Sequence, residues 1–192
     1  MPRLSFQTSL LFAPLAYAIH HGEENLLLDF RAWRLSYFPD NNALTTEAML
    51  TILMGVTFVY LILNSIFRNR VSTALTIGFL MGSQVANAIF HVVTTIIYQD
   101  YSPGMITSVL LYLPVNFLIW RVALKEELTT PLILFFVFIM GGVVFLVFEA
   151  FGPIVLLIAT LVAWILMIVF GLMNKSADGE SAQQAPSENL QR

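Results

Sequence analysis

The sequence predicts an all-α integral membrane protein, a six-transmembrane-helix bundle with an interfacial amphipathic helix between spans 1 and 2. Three observations carry that prediction. Hydrophobic residues make up 58% of the 192-residue chain and charged residues only 11%, against roughly 25% charged in soluble proteins. The charges gather in short polar joints between apolar windows of about 20 residues, the length that crosses roughly 30 Å of hydrocarbon. Each window must satisfy its own backbone hydrogen bonds in lipid, and that selects helices. The expected spans are 5–24, 47–67, 73–98, 103–122, 131–149 and 153–173, one transmembrane domain over 1–173 with a disordered cytoplasmic tail over 174–192.

The first span has Arg3 before it and Ala16-Tyr17-Ala18 near its end, which imitates a signal peptide with a small-residue cleavage site. It is expected to be retained, because it runs into a polar cluster and five further spans follow. Pro14 should kink it near its middle. From Asn25 to Pro39, Leu26, Phe30, Trp33 and Tyr37 recur at helical spacing with Asp29, Arg31 and Arg34 on other faces. That segment is too charged to span, so a helix lying in the interface is expected, with Trp33 and Tyr37 at headgroup level. Pro39-Asp40-Asn41-Asn42 marks a turn, and Thr45 or Thr46 can cap the second span.

The second span stops at Arg68-Asn69-Arg70. In the third, Gln84, Asn87, His91, Thr94 and Thr95 stand three and four residues apart and share one face. A polar stripe on a membrane helix should face the bundle interior. Tyr101-Ser102-Pro103-Gly104 makes a tight connection, with Pro103 suited to the start of span four, where Thr107, Ser108, Tyr112, Pro114 and Asn116 follow. Tyr98 and Tyr101 read as aromatic anchors at the interface. Gly141-Gly142 in the fifth span reads as close helix packing, and the sixth span carries no acid or base side chain.

Six spans put both termini on one side together with Arg3, Arg68, Arg70, Arg121, Lys125, Lys175 and Arg192, leaving only Arg31 and Arg34 on the other. The positive-inside bias makes that richer side cytoplasmic and the protein a multi-pass protein of the inner membrane. All three histidines then fall in the outer half, with His20 at the end of span one and His91 roughly 10 Å deep in span three. Glu149 closes span five on the same side and reads as an interfacial carboxylate.

The net charge of −3 gives no nucleic-acid footprint. The chain has no cysteine, so disulfides, thiolate ligands and cysteine nucleophiles are excluded. It also has no phosphate loop, nucleophile elbow or His-Glu-x-x-His helix. What remains is His20-His21-Gly22-Glu23-Glu24, a cluster that lipid normally forbids. On a helix Glu23 and Glu24 flank the direction of His20, and a His-x-x-Glu pair seats a divalent metal when a third ligand comes from elsewhere. The expected ligands are His20, Glu23 and His91, with Glu24 as general base and Asn87, Ser108 and Tyr112 as substrate contacts. His21 points about 100° away from His20 and ranks lower. Imidazole and carboxylate ligands favour zinc first, then iron or manganese.

These residues resemble the HXXEE family of small bacterial membrane proteins: His20-His21-Gly22-Glu23-Glu24, Trp33, Asn87 with His91, Ser102-Pro103-Gly104 and Pro114 match its pattern. The resemblance covers about Leu11 to Pro114. It implies that His20, Glu23, Glu24, Asn87 and His91 form one site, and it implies no substrate. The expected function is a metal-dependent hydrolase or related acid/base enzyme acting on a lipid or other amphiphile from the outer leaflet. The alternatives are a proton- or cation-coupled carrier, and a structural membrane subunit whose polar stripe only joins helices.

Overall fold

The computed structural model describes residues 4–183, with side chains through 176, and every regular element among them is helical. Among the described residues, five helices are long and apolar enough to cross a membrane: Thr46–Phe67, Arg70–Tyr98, Met105–Lys125, Pro131–Phe151 and Pro153–Ser176. The chain is a multi-pass helical membrane protein.

The N-terminal segment is helical in two pieces, α1 (Phe6–Leu10) and α2 (Phe12–Gly22). The break at Leu11 has a direct cause. Pro14 has no N–H for the carbonyl of Leu10, and its ring crowds that carbonyl. A π-helical turn, Glu23–Leu27, continues α2 without a gap. The short helix α3 (Phe30–Tyr37) follows, capped by Asp29, whose carboxylate accepts from Ala32 N at 3.0 Å. It begins five residues later than the periodicity from Asn25 predicts, so Leu26 stands outside it and is highly exposed. Trp33, expected at headgroup level, is buried, and Tyr37 stacks on Tyr98 with its hydroxyl donating to Asp100 at 2.8 Å.

Helix α4 (Thr46–Phe67) is capped by Thr45, whose hydroxyl accepts from Ala48 N at 3.2 Å, and ends on Arg68 in the left-handed conformation. Asn69 and Ser72 form a capping box for α5 (Arg70–Leu80). This helix runs through a π-helical stretch, Met81–Ala86, into α6 (Asn87–Tyr98). The next span starts at α7 (Met105–Thr107), passes a third π-helical stretch, Ser108–Tyr112, and continues as α8 (Leu113–Lys125). Pro103 lies in the turn before it, because Gly104 occupies the last position ahead of the helix with φ +97°. Helix α9 (Pro131–Phe151) is capped by Thr130. Helix α10 (Pro153–Gln183) runs past Asn174, where order was expected to end, and the rest of that tail lies outside the described residues.

Packing explains which polar groups the bundle admits. Phe6, Leu10, Ile77, Leu80, Ile119 and Val137 form the main apolar core. The expected polar stripe does face inward. Gln84 donates to the carbonyl of Ala13 at 2.9 Å and accepts from Asn116 at 2.7 Å, so one amide joins α2 and two of the long apolar helices. Such interhelical bonds contribute about 1 kcal/mol each in a membrane. Gly141 lets α9 touch the π-helical stretch of its neighbour: a Cβ there would lie 2.7 Å from Gly82 N and 2.8 Å from Gly78 O. Gly142 has open space around it, so close packing explains Gly141 alone.

Candidate metal centre

The π-helical stretches border one cavity, and α2 packs against the Ser108–Tyr112 turn, which also contacts Met81–Ala86. There the structure brings His20 and His91 together across the helices, 71 residues apart in sequence, with ring centroids 5.2 Å apart. His91 is fully buried and His20 nearly so. Between them stands Glu24, 9% exposed. Its Oε1 is 3.3 Å from His20 Nε2 and 3.2 Å from His91 Nε2. One ligand atom from each of the three lies within 4.8 Å of the others.

The sequence expectation put Glu23 among the ligands and did not separate the two glutamates by geometry; the structure sets Glu24 nearest both imidazoles. Glu24, four residues after His20, faces the imidazoles, and Glu23 turns aside to accept from Tyr101 Oη, from Thr107 N at 2.7 Å and from Thr107 Oγ1 at 2.5 Å. The π-helical turn accounts for this. Its hydrogen bonds skip five residues instead of four, so the residue four positions on comes more nearly beneath His20 than in an α-helix.

Each histidine is held from behind. His20 Nδ1 lies 3.0 Å from Thr107 Oγ1, and His91 Nδ1 lies 2.8 Å from Ser102 Oγ. The direction of the first bond follows from Glu23. An ionised carboxylate only accepts, so the Thr107 hydroxyl gives it its proton and receives from His20 Nδ1–H. The lone pair of His20 is then on Nε2 and points at the centre. Holding one imidazole nitrogen to fix the other as a donor to metal is the usual support of metal-binding histidines.

A divalent cation fits these residues on a further observation. His20 Nε2 and His91 Nε2 are buried and make no hydrogen bond of proper geometry, although each is close to a carboxylate oxygen. Buried polar nitrogens without partners cost about 1–3 kcal/mol each. A shared cation would satisfy both and neutralise Glu24. The space is bounded by Gly104: a Cβ there would lie 2.7 Å from His20 Cε1, 2.9 Å from Glu24 Cγ and 3.0 Å from His91 Cε1.

Of the expected substrate contacts, Asn87 and Tyr112 border the same cavity as His20 and Glu24, and Asn87 Oδ1 and Tyr112 Oη are buried without partners. Tyr112 packs its ring on His20 with centroids 4.5 Å apart. Ser108 does not reach the cavity. Its hydroxyl is spent on the carbonyl of Met105 at 2.9 Å. His21, ranked lower from its direction, also borders the cavity, with Nδ1 4.0 Å from Glu24 Oε2. Sequence reasoning missed the supporting roles of Thr107, Ser102 and Tyr101, whose hydroxyl donates to Glu23. Burial and that bond push the Tyr101 phenol up to about 12. The spacing Ser102-x-x-x-x-Thr107 across a Pro-Gly turn marks two hydroxyls beside a turn without showing what they reach.

The cavity, about 430 Å³, extends from this cluster along α4, α5, α9 and α10. At its polar end Arg34 pairs with Glu149 at 3.1 Å, which ties α3 to the end of α9. Phe30 of α3 lies over His91, with ring centroids 5.4 Å apart.

Comparison with known proteins follows the same residues. The family described as a protein of unknown function with HXXEE motif matches residues 11–119. That stretch contains His20, Glu24, Asn87, His91, Gly104 and Thr107. The chain is similar to the uncharacterized protein YrkK of Bacillus subtilis (strain 168), 34% identical over 124 residues that cover 60% of this chain and 75% of the relative. No solved structure matches the chain significantly.

Proposed function

We propose, for a chain that belongs to the HXXEE family, a metal-dependent membrane enzyme that hydrolyses, or transforms by related acid/base chemistry, a lipid-like substrate at the His20–Glu24–His91 cluster. The single observation that carries this reading is the convergence of two orphaned buried imidazole nitrogens on one buried carboxylate. A carboxylate there without a counter-charge would cost several kcal/mol.

His20 Nε2, His91 Nε2 and Glu24 hold the cation, zinc in the first instance and iron or manganese in the second. Such an ion supplies a lowered pKa for bound water and polarises a substrate carbonyl. Glu23 and Thr107 hold His20 in its ligating tautomer. Ser102 holds His91. His21, beside the second oxygen of Glu24 and open to the cavity, is placed to carry protons. Tyr112 and Asn87 meet the substrate's polar group with their unpartnered atoms.

The first helical segment, α1 and α2, completes a set of six spans, and α3 lies in the interface. Arg68 and Arg70 border the loop between α4 and α5, and Lys175 stands over Phe67 at that same end. Arg121 and Lys125 close α8, whose neighbour Glu126 accepts from Phe6 N. Arg31 and Arg34 lie at the site end. By the positive-inside bias the site faces outward and the termini are cytoplasmic.

The test is elemental analysis of gently purified protein beside His91→Ala and Glu24→Gln, with circular dichroism to verify the fold. One divalent ion per wild-type chain, lost in folded variants, is the expected result. A wild type without metal, or variants that retain it, sinks the reading. Metal-independent ion flux abolished by His91→Ala would favour the carrier instead.

A further inference from the structure

The cavity is long for its volume. Thr46 and Tyr60 both border it, fourteen residues apart on α4, which is about 21 Å at 1.5 Å per residue. Over that length its lining is mainly apolar, with about 430 Å³ of room in all, so an extended hydrocarbon chain matches its shape better than a compact fused-ring system does. Its far end is lined by Tyr60, Leu75, Ala163 and Leu166, and its middle wall is apolar through Phe79 and Val144.

The other end is polar and balanced in charge. Arg31 faces Asp40 at 3.3 Å and Arg34 faces Glu149 at 3.1 Å, so two cations meet two carboxylates. A head with a strong net charge of either sign would have to break one of these pairs. Between the ends stand the unpartnered Tyr112 Oη and Asn87 Oδ1, both buried atoms bordering the cavity beside His20. They suit a hydroxyl, ester or amide group at the junction of head and tail.

We infer that the molecule held here is a single-chain amphiphile, its hydrocarbon tail running from the His20–His91 end toward Ala163 and its head uncharged or zwitterionic. The inference rests on the proposed reaction centre for its substrate role, while the tail channel is independent of any bound metal. Lipid outside the protein is as apolar as the channel wall, so chain length acts through fit and not through transfer from water.

The experiment uses the full chain, held in solution by an amphipathic polymer, with a fluorescent monoacyl phosphocholine as the probe. Competitors are unlabelled monoacyl phosphocholines of graded length, monoacyl phosphoglycerol, cholesterol and a diacyl phosphatidylcholine. Monoacyl phosphocholine should displace the probe at least about tenfold better than cholesterol, the diacyl lipid or the anionic monoacyl lipid, with an optimum chain length. Ala163→Phe should move that optimum to shorter chains and Leu75→Ala to longer ones, each with unchanged metal content. Opposite shifts keep the test decisive if one variant fails to fold. Equal displacement by cholesterol or diacyl lipid, or an optimum that neither variant moves, overturns the inference. A length optimum in protein that never binds metal leaves the amphiphile channel standing and removes the metal reading; bound metal without a length optimum does the reverse.

Discussion

Replacing Gly104 by alanine should disable the site without touching a ligand. Two costs follow from the structure. Gly104 has φ +97°, a region where a side chain costs about 1–3 kcal/mol of backbone strain. The added methyl would also meet all three candidate ligands at once, at 2.7, 2.9 and 3.0 Å. To reach ordinary contact at 3.4 Å the His20 ring alone must retreat by about 0.7 Å, where metal ligands tolerate about 0.2 Å. A loss of about 10- to 100-fold in metal affinity is expected, the range found when supports of ligands are removed. Competition with a chromogenic chelator measures it, on protein whose helicity is unchanged. Gly22→Ala is the control, since Gly22 lies between His20 and Glu24 in helical conformation with nothing within 4 Å of an added Cβ. It should bind as the wild type does. Undiminished metal binding by Gly104→Ala would refute the placement of the three ligands around this glycine.

Three further outcomes are expected. Thr107→Val removes the hydroxyl between Glu23 and His20 and should weaken metal binding by about 10- to 100-fold, while Thr107→Ser, which keeps the hydroxyl, should restore most of it in the same chelator competition. Gly141→Ala places a methyl 2.7 Å from Gly82 N and 2.8 Å from Met81 Cβ and should cost about 1–3 kcal/mol in detergent unfolding, whereas Gly142→Ala, with open space, should cost almost nothing. Burial, and then the bond to Glu23, raise the Tyr101 phenol to about 12 from 10, so the folded state keeps its proton where the unfolded state loses it. Its contribution to stability is whole below about pH 10 and is lost as pH rises toward 12, so Tyr101→Phe should flatten the decline of unfolding temperature across that window.

The five long apolar helices were legible because lipid leaves so few solutions: a run of apolar residues must be a helix, and its polar ends are written in Arg68-Asn69-Arg70 or Thr130-Pro131. The pairing of His20 with His91 was legible for a related reason. Few titratable groups occur in the apolar windows, and two at compatible depth have few partners other than each other. Thr107 and Ser102 were not legible as supports, because their reach depends on how the Pro103-Gly104 turn folds back over the ends of α2 and α6. A left-handed glycine is invisible until its φ is known, and so is the fact that its missing Cβ is the space where three side chains meet.

The different surroundings of Glu23 and Glu24 show what helical periodicity alone leaves out at such a site. In an unbroken α-helix both carboxylates flank His20, and nothing in the spacing separates them. The π-helical turn at Glu23–Leu27 separates them, sending Glu24 under His20 and Glu23 toward Tyr101 and Thr107. The other two wide turns carry Gln84 and Tyr112 and lead directly into Asn87 and Leu113. A π-helical turn weakens the hydrogen bonding of its own helix and is retained mostly where it re-aims a side chain. Three of them bordering one cavity in a bundle of this size give each polar side chain a direction that α-helical geometry would deny it. The cost in helix regularity is therefore concentrated at the site, and the rest of the bundle, joined by Gln84, Asn116 and the Gly82–Gly141 contact, is what holds those wide turns in place.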